Sequence, residues 1–424
     1  MTIVGINAIM GIKGVNEMVE RREYMEMLKA WRNEKVIKVV TGIRRCGKST
    51  LLEMYRNYLL ETGVEPNCII SINFENLDFE ELQDYKKLYN YLKERLVPEK
   101  FTYIFLDEVQ KVPFFEKVVD SLYIMNNVDI YITGSNSNLL SGELATLLSG
   151  RYVEIPMLPL SFAEYYELCG KGGNADTAFA EYMQNGGMPY VAVMDRTKEK
   201  VDMYLEGIYS TIIINDIEER QKRRESDPSK RKVSDISLLK NIAKFLAGSV
   251  GSLISTKSIT DYLISSGRKV SANTVNDYID SLTESFVFYP AERYDIYGKQ
   301  LLKTNQKFYI VDLGIRRHIL PRKNFDLGFS LENIIFLELL RRGYKVNIGK
   351  AGQTEVDFVA RKDDRIHYFQ VTASLADEKT FEREITPLKN ITDNYPKTII
   401  TLDRFSVGNY DGIEAVNAVD WLLS

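Results

Sequence analysis

Apolar residues first recur at helical spacing in this chain at Tyr24, Met27, Leu28 and Trp31, which predicts a helix over 20–33. The β-branched run Val36-Ile-Lys-Val-Val-Thr41 follows and reads as a buried strand. After a glycine-containing turn, a second helix is predicted over 49–62. Further short apolar runs at 68–72, 103–106, 130–133 and 153–155 read as strands, separated by helical patterns over 82–96, 114–125 and 139–148. Strands that alternate with helices imply an α/β layer built on a parallel sheet. Beyond Pro156 and Pro159 the texture changes: 162–215 is helix-rich, 235–291 is a compact helical block, and 332–424 returns to mixed helix and strand.

The chain has 424 residues, enough for roughly three domains of about 150 residues each. With 55 Lys+Arg against 59 Asp+Glu the net charge is −4, so overall charge does not point to nucleic acid. His318 and His367 are the two histidines, which argues against sites that need several imidazoles, such as a His-rich zinc centre. Cys46, Cys68 and Cys169 form no CxxC pair and no disulfide framework, as expected in a reducing compartment. The apolar stretch 2–12 has no basic residue before Lys13, unlike a secretory signal. No run is apolar for the ~20 residues that a membrane helix needs. A cytoplasmic protein with no membrane partner is expected.

One segment changes the picture. Gly42-Ile-Arg-Arg-Cys-Gly47-Lys48-Ser49 matches GxxxxGK[ST] and lies between a predicted strand and a predicted helix, the context that a phosphate-binding loop requires. The glycines let successive backbone N–H groups point at phosphate oxygens, and the helix N-terminus adds its positive dipole end. The candidate nucleotide-binding set is therefore Gly42, Ile43, Arg44, Arg45, Cys46, Gly47, Lys48, Ser49 and Thr50. Lys48 suits the β- and γ-phosphates, Ser49 a Mg²⁺ ion and Thr50 the neighbourhood of the α-phosphate.

Tyr103-Ile-Phe-Leu-Asp107-Glu108 puts two carboxylates at the C-terminal tip of a buried strand. Asp107 suits the Mg²⁺ shell and Glu108 the polarisation of an attacking water. Ser135 and Asn136 end the next strand, where either can contact the γ-phosphate or the water, or serve as a turn or N-cap. Arg151 is the candidate arginine finger, with Arg44 and Arg45 also within reach of phosphate.

These motifs, together with Phe-Leu-Asp-Glu-Val-Gln (105–110), Thr-Gly-Ser-Asn-Ser (133–137), Leu-Leu-Ser-Gly-Arg-Tyr (147–152) and Leu158-Pro-Leu-Ser-Phe162, resemble a widespread prokaryotic family of AAA-type P-loop ATPases whose C-terminal half is a domain of unknown function. The resemblance implies a P-loop parallel sheet over 20–160, a helical lid over 161–225, a winged-helix-like module over 233–310 and a restriction-endonuclease-like α/β domain over 325–424. It also implies ATP and Mg²⁺ as ligands, and ATP hydrolysis.

Within the third segment, 254–263 and 271–282 resemble the two helices of a winged helix-turn-helix, with Ser271 as a cap and 286–289 and 307–311 as adjoining strands. Asn273, Thr274 and Asn276 are the candidate base-reading side chains, but Asp277 and Asp280 on the same helix would repel phosphate. The segment 220–232 carries seven Lys/Arg against two acids, a local balance of +5, and is the best nucleic-acid feature of the chain. In the last segment, helix 331–340 and strands 344–348, 355–359 and 367–372 follow the order of a restriction-endonuclease-like core. Glu332 and Asp357 match its helix and strand acids, but the (Asp/Glu)-x-Lys triplet is Gln370-Val-Thr372, so nuclease activity is not expected.

The sequence thus reads as an ATP-driven switch or small motor. The alternative is a DNA-binding or DNA-acting regulator for which ATP is only a switch ligand. An unidentified protein partner and a homo-oligomer are both compatible with it.

Overall fold

A computed structural model describes residues 19–135, 148, 150–169, 173–212, 235–320 and 327–424. The lead-in 2–12, Asn136, nearly all of the predicted helix 139–148 and the basic segment 220–232 lie outside the described residues.

Helices α1 (Arg22–Ala30), α2 (Lys48–Glu61), α3 (Tyr85–Lys93) and α4 (Phe115–Tyr123) alternate with strands β1 (Ile37–Thr41), β2 (Ile69–Asn73), β3 (Thr102–Asp107), β4 (Val128–Gly134) and β5 (Tyr152–Pro156). The five strands form one parallel sheet in the order β2-β3-β4-β1-β5. Side chains alternate across it. Val40, Tyr103, Phe105 and Tyr131 pack with α1 and α2, whereas Ile37, Val39, Ile104 and Leu106 pack with α3 and α4. The pattern predicted over 82–96 as one helix is divided: a 3₁₀ turn covers Leu77–Gln83, and the Asp84 carboxylate then accepts from the N–H groups of Lys86 and Lys87, starting α3.

Among the described residues four helices follow: α5 (Phe162–Cys169), α6 (Ala175–Asn185), α7 (Pro189–Val193) and α8 (Lys198–Thr211). Three more, α9 (Ile236–Gly248), α10 (Thr256–Ser265) and α11 (Ala272–Glu284), lead into the hairpin β6 (Phe288–Asp295) and β7 (Gln300–Ile310). Ser255 and Ser271 cap α10 and α11, and Val275, Tyr278, Ile279 and Leu282 are the buried stripe of α11. Ile254 and Gln306 exchange both backbone hydrogen bonds, tying the segment before α10 to the hairpin.

The C-terminal elements are α12 (Leu313–Ile319), α13 (Leu327–Arg341), β8 (Lys345–Ala351), β9 (Thr354–Lys362), β10 (Arg365–Thr372), α14 (Glu378–Lys389), β11 (Lys397–Thr401), β12 (Gly408–Tyr410), β13 (Ile413–Asn417) and α15 (Ala418–Leu423). Their sheet is mixed, and β6 joins it by pairing parallel to β8, giving the order β12-β13-β11-β10-β9-β8-β6-β7. The hairpin is therefore shared between the helical block before it and the sheet after it. A register shift between Ala291 and Arg293 accompanies a change of company: Ile310 exchanges hydrogen bonds with the Asn333 side chain on α13. One apolar core runs from α1 and α2 through the middle helices to α13, and a second covers the other face of the C-terminal sheet beneath α14.

Candidate nucleotide-binding site

The loop after β1 curls because two glycines take backbone conformations closed to other residues. Gly42 has φ +145° and Gly47 φ +107°, and a Cβ on Gly42 would lie 2.2 Å from the Met157 carbonyl oxygen. The curl ends at the N-terminus of α2, whose first residue is Lys48. The Lys48 ammonium donates to the carbonyl oxygens of Gly42 (3.0 Å) and Ile43 (3.2 Å) and lies 3.9 Å from Glu108 Oε1.

Strand order brings the carboxylates to this loop. Because β4 lies between β1 and β3, the C-terminal tips of β1, β4 and β3 stand side by side. Asp107 ends β3. Its Oδ1 accepts from the Thr133 hydroxyl and its Oδ2 from Asn73 Nδ2 at 2.9 Å, and the Ser49 hydroxyl also bonds to this carboxyl. Burial pushes the Asp107 carboxyl above its usual range, an effect that the Thr133 and Ser49 hydroxyls partly offset. A hydroxyl and a carboxylate brought together in this way form a hard oxygen donor set that suits Mg²⁺.

Glu108 adopts φ +53°, a left-handed conformation that is costly for a non-glycine residue and is found preferentially at functional positions. Its N–H donates to Thr133 Oγ1 (2.9 Å), and its Oε2 accepts from the Gln110 amide and from Ser135 Oγ (3.0 Å).

Lys48, Ser49 and Glu108 line a cleft of about 550 Å³. Its polar lining also includes Arg21, Arg44, Arg45, Thr50 and Glu75. Its apolar lining is Val19, Leu160, Leu168, Pro189, Tyr190 and Val193, and Pro189 comes within 3.9 Å of where a Cβ on Gly47 would lie. Arg44 pairs with Glu75 at 2.9 Å, and Arg45 lies over the Tyr204 ring of α8, 5.6 Å from its centroid. Cys46 is fully buried beneath the loop, and burial raises its thiol pKa, which makes it an inert packing residue.

The candidates are thus brought together with two exceptions. Asn136 lies outside the described residues. Arg151 does not join the site within its own chain: it precedes β5, which runs parallel to β1 from the Ile37↔Tyr152 pair to Thr41↔Pro156. Five residues of strand therefore separate it from the phosphate end, about 17 Å at ~3.3 Å per residue. There it pairs with Asp120 of α4.

Four residues belong to the site without having been singled out. Thr133, Asn73 and Gln110 hold the two carboxylates. Arg21, which lines the cleft, donates to the carbonyl oxygens of Cys46 (3.1 Å) and Leu158 (2.7 Å) and pairs with Glu164 (2.7 Å), pinning the loop. A polar residue at the C-terminal end of a strand is the signal that marks Asn73, at the tip of edge strand β2, and Thr133 near the tip of central strand β4. Nothing local marks Arg21.

The wall of the cleft is tied to the C-terminal elements. The Asp312 carboxylate accepts from Gly187 N (2.6 Å) and caps α12 at Ile315 N (3.0 Å), and Arg341 of α13 donates to the Pro159 carbonyl oxygen (2.8 Å).

The Glu332 and Asp357 pair matched in sequence is also brought together, 25 residues of chain notwithstanding. Lys307 Nζ stands 3.0 Å from Glu332 Oε1, 2.8 Å from Glu355 Oε1 and 3.9 Å from Asp357 Oδ1. Burial opposes charge on this lysine, but the carboxylates of Glu332, Asp357 and Glu355 outweigh it and hold the pKa above its ordinary value.

A phosphate-binding loop on a parallel sheet, faced by Asp107 and Glu108, defines a P-loop ATPase of the AAA type. The comparisons agree. A family model described as an AAA domain matches residues 34–166, and one described as a domain of unknown function (DUF8612) matches 176–326. An uncharacterized protein of Haemophilus influenzae is 41% identical over 411 residues, covering 96% of this chain and 99% of the relative. An uncharacterized protein of Methanocaldococcus jannaschii is 29% identical over 420 residues, covering 91% and 85%. The chain belongs to this family, in which an AAA domain precedes a C-terminal domain of unknown function.

Among solved structures it is similar to the Walker-type ATPase PABY2304 of Pyrococcus abyssi, with a TM-score of 0.49 and 15% identity over 74% of this chain and 99% of that one. It is also similar to AMPPCP-bound DnaA of Aquifex aeolicus, with a TM-score of 0.30 and 16% identity over 62% and 86%. Among the described residues no helix is long and apolar enough to cross a membrane.

Proposed function

We propose that this protein binds ATP with Mg²⁺ and hydrolyses it to ADP and phosphate, using the cycle as a switch or small motor that acts on its C-terminal half. The observation that carries this reading is the convergence of Lys48, Ser49, Asp107 and Glu108 beside a cleft that also has an apolar lining.

The loop N–H groups and the N-terminus of α2 would cradle the phosphates, and Lys48 would exchange its two backbone carbonyl partners for phosphate oxygens. The apolar lining, with Leu160, Pro189 and Tyr190, suits a flat purine base. Ser49 and Asp107 would hold the Mg²⁺, which when bound neutralises developing phosphate charge. Glu108, oriented by Gln110 and Ser135, would take a proton from the attacking water. A water oxygen bonds to the γ-phosphorus as the bond to the β-bridging oxygen breaks, so ADP leaves with the electron pair and the product is inorganic phosphate.

The contacts of Asp312 with Gly187 and of Arg341 with Pro159 support a switch, because the loops they hold also supply the cleft residues Leu160 and Pro189.

Helices α10 and α11 with the β6–β7 hairpin are read as a winged-helix-like module. The exposed face of α11 carries Asp280, which accepts from Asn276 Nδ2 at 3.0 Å, and carboxylates there disfavour a phosphate backbone. Protein contact is therefore the preferred role for this module.

Turnover assays on wild type and Glu108→Gln test the reading. A loss of about 10²–10⁴-fold with retained nucleotide affinity is expected for a lost general base. Undiminished turnover would overturn the assignment of Glu108. Lys48→Ala is expected to lose nucleotide binding, and wild type that binds ATP without ever turning it over would be a scaffold rather than an ATPase.

A further inference from the structure

Three carboxylates in the C-terminal half converge on a single point, which is already filled by the ammonium of Lys307. This lysine is only 3% exposed, and it comes from β7, whereas the acids come from α13 and β9. Its partners are Glu332 (3.0 Å), Glu355 (2.8 Å) and Asp357 (3.9 Å).

Two of the three acids have further partners. Glu332 Oε1 also accepts from the Tyr309 hydroxyl at 2.6 Å, and Asp357 Oδ2 accepts from Val371 N at 2.8 Å. Gln370 is turned away from the lysine: its amide donates to Glu384 Oε2 at 2.7 Å, and its carbonyl faces the Asp357 N–H. Glu332 and Asp357 are nearly inaccessible, and over Glu332 the backbone of Gly251 approaches so closely that an added Cβ would stand 3.2 Å from Oε2. With the ammonium among them these carboxylates are not arranged to hold a metal ion, and neither is any other group of three or more His, Cys, Asp or Glu side chains among the described residues.

We propose that the Lys307 ammonium permanently occupies the place where these carboxylates would otherwise bind a divalent cation. The C-terminal sheet is thereby closed to metal-dependent phosphodiester chemistry, and the cluster instead fastens the β6–β7 hairpin onto α13 and β9. The physical reason is charge. Three buried or half-buried carboxylates need a compensating cation, and a lysine donated by the hairpin supplies one that cannot dissociate. An open metal site keeps a path to solvent, and Glu332 and Asp357, 5% and 9% exposed, lack one.

The test is a Mn²⁺ titration of the full-length protein, with free ion followed by electron paramagnetic resonance, on wild type, Asp357→Asn, Lys307→Met and the Lys307→Met/Asp357→Asn double variant. Wild type and Asp357→Asn should give superimposable isotherms. Lys307→Met should take up one additional ion per chain, and the double variant should lose it. If Lys307→Met unfolds in plain buffer, the proposal requires that Mn²⁺ restore its circular dichroism, since the ion supplies the missing charge. A wild-type ion that Asp357→Asn removes would overturn it, as would Mg²⁺-dependent DNA cleavage by wild type that Asp357→Ala abolishes. So would a Lys307→Met variant that neither gains an ion nor is rescued by one.

Discussion

Asp312 offers the sharpest energetic test of how the nucleotide cleft is joined to the C-terminal half. Its side chain is buried, 3% exposed for the whole residue, where it receives the N–H groups of Gly187 and Ile315. The surrounding backbone comes so close that a Cβ on Gly186 would lie 2.3 Å from the carboxylate oxygens. Burial pushes this carboxyl up from its ordinary value of 3.8 to about 6, although the N–H groups of Ile315, Gly187 and Gly314 and the charge of Arg317 pull the other way.

A group that binds its proton more tightly when folded favours the folded state most at low pH. Its contribution is fully present below about pH 4 and is lost as the pH rises through 6. At about 1.36 kcal/mol per pKa unit, the loss from this one side chain is about 3 kcal/mol.

Asp312→Asn abolishes the titration while keeping the shape of the side chain. Urea unfolding from pH 4 to 7, followed by the fluorescence of Trp31 and Trp421, should give a wild-type stability that falls relative to the variant by about 3 kcal/mol across this window. Glu332 and Asp357, which are also raised by burial, titrate in both proteins and cancel in the difference. Stability curves that stay parallel over the window would refute the account of Asp312.

Other outcomes follow from the same packing. Asp129→Ala strands the fully buried ammonium of Lys38, its partner at 2.5 Å, and should cost about 3–5 kcal/mol in denaturant unfolding, with much of the loss recovered in Lys38→Met/Asp129→Leu. Gly187→Ala would put a Cβ 2.4 Å from the Leu160 carbonyl oxygen, so unfolding should show a loss of about 1–3 kcal/mol and calorimetry a weaker nucleotide complex, because Leu160 lines the cleft. Arg151→Ala should leave nucleotide affinity unchanged in the same calorimetric titration, since Arg151 stands at the opposite end of the sheet. A fall in affinity would contradict that placement, whereas a fall in turnover alone would point to action on a neighbouring subunit.

The strand–loop–helix around Gly42–Ser49 and the Asp107-Glu108 pair were legible from residue order because their chemistry is local. A backbone that wraps a phosphate needs glycines at fixed spacing, and a buried strand that ends in carboxylates announces itself by composition. The sequence by itself also determined the α/β alternation and most element positions, since burying one helix stripe or both strand faces imposes periods that can be counted.

Tertiary structure alone decided which distant residues share a charge. Arg21 meets the loop through the Cys46 carbonyl, Lys38 meets Asp129 inside an apolar run, and Asp312 meets Gly187 across 125 residues. Gln370-Val-Thr372 lacks the expected lysine, yet Lys307 brings an ammonium to the same acids from another strand. The reason is that periodicity encodes which face of an element is apolar, whereas electrostatic compensation depends only on distance. That distance is set by sheet order and by the packing of β7 against α13.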